Sequence, residues 1–158
     1  MVTVASYIAR KGGFLDFLIA LRHFSKYSHS EIVFDDGWWF SSSARDGGPR
    51  KKRIEPKPGH WDFVPLPFSD AETAEIRAWC EQRVSEGHKY DFKGVLAFVV
   101  PFFTPSNADD FCSEFVTLAI QTTAWLKDLL AGKVFPGRLH AASKKLRMDL
   151  MVRNWSSK

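Results

Sequence analysis

Val2 to Ile8 alternates loosely between apolar and polar positions and is rich in β-branched residues, which predicts a short strand. Gly12-Gly13 breaks it. From Phe14 to Phe24, apolar residues fall at 14, 15, 17, 18, 19 and 21, a density that suits a well-buried core helix. Asp16, Arg22 and His23 argue against reading that segment as a membrane anchor. His29 to Phe34 predicts a second strand, with His29, Glu31 and Val33 on one face and Ser30, Ile32 and Phe34 on the other. Asp35-Asp36-Gly37 is a hairpin turn signal, and Trp38 to Ser43 returns as the partner strand. That hairpin should bring Ser41, or a neighbour, close to the histidine.

Residues 44 to 60 form a connection punctuated by Gly and Pro that carries Arg45, Arg50, Lys51, Lys52, Arg53 and Lys57. It reads as a solvated loop with a charge-protected edge strand, or as a rim that attracts an anionic substrate. Trp61 to Leu66 is a further short strand. Ser69-Asp70-Ala71-Glu72 fits a capping box, followed by Ile76, Trp79, Cys80 and Val84 at helical spacing and Gly87 as a stop. Tyr90-Asp91 leads into the apolar run Val95 to Phe103, interrupted by Pro101 and far too short to span a bilayer. A helix is predicted from about Cys112 to about Leu130, with a bend near Thr122-Thr123, and another between Leu139 and Trp155.

The totals narrow the classes. At 158 residues and 45% hydrophobic, the chain is long enough for one domain, spanning residues 1 to 158, with a substantial core. Two cysteines do not make a disulfide framework, so any cysteine function needs a free thiol. The net charge of +4 is compatible with an anionic partner and selects none. The basic residues lie in one run without interleaved aromatics, so nucleic acid is not an expected partner. His23, His60, His88 and His140 do not pair at metal-ligand spacing, no phosphate-binding glycine loop is present, and no metal or cofactor is expected. No secretory signal is visible, which favours the cytoplasm and leaves delivery by a phage or secretion machine open.

Asp109-Asp110-Phe111-Cys112-Ser113-Glu114 reads as a helix start with a cysteine in its first turn. Unpaired N–H groups and the positive end of the helix dipole favour a thiolate there. Cys80 lies mid-helix on an apolar stripe beside Trp79, where nothing stabilises a thiolate, and reads as structural. A nucleophilic cysteine needs a base, and the base needs a third group to orient it. His29 on a strand is the residue type that chemistry requires.

Tyr27-Ser28-His29-Ser30-Glu31-Ile32-Val33-Phe34 with Asp35-Asp36-Gly37, then Tyr90-Asp91, then Phe111-Cys112-Ser113-Glu114-Phe115-Val116, resembles the circularly permuted branch of the NlpC-type, papain-like cysteine hydrolases. The resemblance runs from about Ser28 to Ile120, and the strand bearing His precedes the helix bearing Cys, as in that branch. It implies an α+β, permuted papain-like fold: a small antiparallel sheet or partial barrel packed on helices, with the cysteine at a helix N-terminus. It further implies Cys112 as nucleophile and His29 as base, with Ser41 at the place of the family's third polar residue; Glu31, on the strand face of His29, is the preferred orienting group instead. Tyr90, Asp91 and Ser113 are the implied substrate-binding positions. The implied activity is amidase or peptidase cleavage through a Cys112 thioester, with a cell-wall peptide or another amide as first choice of substrate. Lipid-directed acyl transfer or thioesterase action is the alternative of the same fold, and an idle module gripping an anionic polymer is the alternative of another class.

Overall fold

A computed structural model describes residues 1–22, 24–87, 112–123 and 134–157. Five strands form one antiparallel sheet: β1 (Val2–Ile8), β2 (Tyr27–Phe34), β3 (Trp38–Ser43), β4 (Gly48–Arg53) and β5 (Trp61–Leu66), in the order β4-β3-β2-β1-β5. Four helices accompany it among the described residues: α1 (Phe14–Arg22), α2 (Asp70–Ser85), α3 (Cys112–Gln121) and α4 (Pro136–Ser156). The chain is therefore α+β. None of these helices is long and apolar enough to cross a membrane.

Alternation along the strands sorts the sheet into two faces. Val2 and Val4 of β1, Ile32 and Phe34 of β2, Phe40 of β3, and Val64 and Leu66 of β5 share the face that packs on α3 and α4. From α3, Phe115, Val116, Ala119 and Ile120 join this core, and from α4, Leu139, Leu146 and Leu150. Burying each such large side chain stabilises the fold by about 1.5–3 kcal/mol. Trp79 of α2 packs edge-on against Phe115, 5.2 Å between ring centroids, so α2 closes over α3. The opposite face carries Tyr7, His29, Glu31, Trp39, Ser41, Trp61 and Phe63, with Trp39 and Trp61 in edge contact at 5.1 Å.

Local chemistry accounts for the element ends. Gly37 takes φ +80° to close the β2–β3 hairpin, its N–H bonding Phe34 O at 2.9 Å. Ser69 and Glu72 form the reciprocal capping box at the start of α2. Pro136, the first residue of α4, needs no hydrogen-bonded N–H there. The described part of α3 runs from Cys112 to Gln121, where the Thr122 and Thr123 hydroxyls bond back to Ala119 O and Ile120 O, both at 2.8 Å. The expected extension to Leu130 lies outside the described residues, as do Tyr90, Asp91 and the Val95–Phe103 run.

One expectation is corrected. The segment from Phe14 to Phe24 is not a well-buried core helix, because Phe14, Phe17, Leu21 and Phe24 are 74, 53, 56 and 96% exposed. The helix packs against β2 and the turn after β1 with its other side, where Ala20 is buried.

Candidate active site

The β2–β3 ladder is short. Its partners are Ile32↔Phe40 and Val33↔Trp39, whereas β1 pairs along nearly the whole of β2. The N-terminal half of β2 thus turns its β3-side backbone groups toward other partners. The Ser30 N–H donates to the Cys112 sulfur, and the Ser30 carbonyl accepts from Ser41 Oγ at 2.7 Å. Loss of pairing at this point is what lets the cysteine of α3 dock against the strand that carries His29.

Cys112 and His29 are hydrogen-bonded to one another. Burial alone would push the thiol up. The charge and hydrogen bond of His29 and the N–H groups of Ser30 and Ser113 more than offset it, holding Cys112 below the ordinary thiol range. For His29, burial pushes the imidazole down, and the Cys112 thiolate followed by Glu31 raises it to about 10. Both shifts favour a thiolate–imidazolium pair. His29 Nε2 lies 3.1 Å from Glu31 Oε1.

Glu31 is the group that faces the histidine from behind, and it is fully buried, with 1% of its side chain exposed. Its charge is held by Arg50, whose Nη2 donates to the same Oε1 at 2.6 Å. Asp46 Oδ2 lies 2.7 Å from Arg50 Nε on the other side. Arg50 pairs in register with Ser41 across β4 and β3, so three residues on three adjacent strands, Arg50, Ser41 and Glu31, line one face. Only a small side chain at position 41 lets the guanidinium pass over β3 to the carboxylate. Trp61 of β5 walls the far side of His29, its ring 6.3 Å away and near perpendicular.

The sequence-derived candidates therefore separate. Cys112, His29 and Glu31 come together. Ser41 does not orient the imidazole: its hydroxyl bonds the main-chain carbonyls of Ser30 and, at 3.3 Å, Ser42. Ser113 turns its hydroxyl to Val134 O at 2.5 Å, so it reaches the site through its backbone N–H and not its side chain. Tyr90 and Asp91 lie outside the described residues. Arg50 and Trp61 were not singled out by sequence. Arg50 stood in a basic run, and only its register against Ser41 marks it.

Cys80 behaves differently from Cys112. It is buried in the core, where burial and then the Glu81 charge push its thiol far up, with the Arg77 charge opposing them too weakly to offset this. Both cysteines are free. Among the described residues, no group of three His, Cys, Asp or Glu side chains is placed to hold a metal ion. No family model, no curated protein and no solved structure matches the chain.

Proposed function

We propose that this protein is a cysteine hydrolase of the permuted papain-like type, cleaving an amide or other acyl bond through a thioester on Cys112. The observation that carries the reading is the hydrogen-bonded Cys112–His29 pair, shifted toward thiolate and imidazolium, with Glu31 3.1 Å behind the imidazole. The Cys112 sulfur attacks the carbonyl carbon, and the carbonyl electrons move onto oxygen. Backbone N–H groups around the first turn of α3, at whose N-terminus this reading sets the nucleophile, meet that oxyanion. As it collapses, His29 gives its proton to the departing amine or alcohol and a thioester remains. His29 then takes a proton from water, the hydroxide attacks the thioester, and the acid leaves with the thiol regenerated. Glu31 stabilises the imidazolium and fixes its ring, and Arg50 aims Glu31.

The order of the chain, with the histidine strand before the cysteine helix, supports the permuted type. A polymer-gripping module is less well supported, because three of the four cations of β4 are already engaged in ion pairs. Arg50 pairs with Glu31 and Asp46, Lys51 with Glu81 and Lys52 with Asp46. Amide cleavage, as in a cell-wall peptide, is the first substrate class, and lipid-directed acyl transfer is the alternative.

The test is covalent trapping. The intact chain is incubated with a panel of activated esters, thioesters and peptide amides, quenched in acid and analysed by mass spectrometry. An acyl adduct on Cys112 that is absent in Cys112→Ala and fails to turn over in His29→Ala is expected. If no member of the panel acylates Cys112, or if acylation falls equally on Cys80, the proposal fails.

A further inference from the structure

The exposed side of α1 has chemistry that the hydrolase reading does not use. Phe14, Phe17 and Leu21 recur at intervals of three and four, so they form one stripe along the helix, and Phe24 stands in the turn just beyond it. They are among the most exposed large apolar side chains of the molecule, at 74, 53, 56 and 96%. Phe24 is also the one described non-glycine residue with positive φ, +47°, a turn that leaves its ring entirely in solvent. Isolated surface hydrophobes are ordinary, but a contiguous stripe of this size marks an interaction surface.

The charges around the stripe indicate its partner. Arg10 and Lys11, in the turn that leads into α1, are exposed and make no ion pair among the described residues. Arg45 is exposed as well and within electrostatic reach of Tyr7, whose hydroxyl donates to Lys11 O at 2.8 Å. The only carboxylate of α1, Asp16, is turned inward, accepting from Ser28 Oγ at 2.7 Å and from the Gly13 N–H at 2.9 Å. Among the described residues, the face therefore offers aromatic and aliphatic groups rimmed by cations without an ion pair, with no free anion. A second copy of the chain would bring those cations against one another. An anionic bilayer supplies both an apolar layer for the rings and negative headgroups for the rim.

We propose that α1 docks this protein on an anionic membrane surface, with Phe14, Phe17, Leu21 and Phe24 entering the headgroup–acyl boundary. The Asp16–Ser28 hydrogen bond ties the helix to the residue next to His29, so docking sets the histidine end of β2 at the interface. The surface is independent of the chemistry assigned to Cys112.

Sedimentation of the full-length chain with large vesicles tests this, using phosphatidylcholine alone and phosphatidylcholine mixed with phosphatidylserine, at low and high salt. The wild type is expected to sediment with the mixed vesicles, less with phosphatidylcholine alone and less at high salt. The double variant Phe17→Glu, Phe24→Glu is expected to lose at least about tenfold in partitioning. Both rings are exposed, so its melting temperature and its Cys112 alkylation rate should stay those of the wild type. Met151→Glu, on the exposed side of α4, should bind as the wild type does. Failure of the wild type to bind mixed vesicles overturns the proposal. So does unchanged binding by the double variant, or a dimer that the same substitutions dissociate without any vesicle binding.

Discussion

A single carboxylate oxygen, Glu31 Oε1, takes the His29 ring nitrogen at 3.1 Å and the Arg50 guanidinium at 2.6 Å, in a site where 1% of the Glu31 side chain meets solvent. A buried carboxylate without a counter-charge is costly, and removing one partner of such a pair typically costs about 3–5 kcal/mol. Arg50 therefore supplies the counter-charge beside the carboxylate that His29 meets. His29, whose pKa is raised from 6.5 to about 10, contributes stability that is complete below about 6.5 and is lost as pH rises through about 10. Glu31→Gln removes the negative charge behind the ring, and the folded-state pKa of His29 should fall by about one unit or more. An NMR titration of the His29 imidazole checks this. An unmoved titration would mean that Glu31 does not act on the histidine. At this scale the sequence was partly legible: strand alternation alone set Glu31 on the face of His29. It could not single out Arg50 from Lys51, Lys52 and Arg53, because the distinction is made by a neighbouring strand's register.

Among the elements, Glu72 joins two helices. It closes the capping box of α2 with Ser69, and both its oxygens receive Arg153 of α4, at 2.6 and 2.9 Å. Arg153, against the opposing effect of burial and with help from Ser69, draws the Glu72 carboxyl down from 4.5 to about 2. The sign follows from the depressed value: the stabilisation is complete above about 4.5 and is lost as pH falls through about 2. Glu72→Ala should cost about 2–3 kcal/mol near neutral pH by urea unfolding, with the gap to the wild type closing as pH approaches about 2. A gap independent of pH would assign the loss to packing. The box itself was readable, since Ser69 and Glu72 stand at the required spacing. The partner from α4 was not, because it comes from 81 residues away. The exposure of α1 was not readable for a related reason. Periodic apolar residues identify a helical face but carry no information on whether another element covers it.

For the whole molecule, the order of the strands matters most. Placing β2 at the centre, between β3 and β1, lets β4 send Arg50 in from one side while β1 and β5 wall His29 with Tyr7 and Trp61 on the other. The two faces then divide the work: apolar alternation glues one to α3 and α4, and the other holds the charged relay and the aromatic wall. Strand and helix positions follow from local patterns in Val2–Ile8, Trp38–Ser43 and Ser69–Ser85, whereas the early end of the β2–β3 ladder depends on the packing of α3 against both strands. That early end frees the Ser30 N–H for the Cys112 sulfur. The central claim is that this meeting of α3 with β2 makes Cys112 a thiolate. The most direct test is the pH dependence of alkylation at each cysteine in the intact chain, with Cys80 as the internal control and His29→Ala beside the wild type. Cys112 should react well below the ordinary thiol midpoint near 9.0, Cys80 should stay slow throughout, and His29→Ala should move the Cys112 midpoint up to or beyond that value. Two cysteines that titrate alike, or a Cys112 midpoint that ignores the loss of His29, would contradict the account.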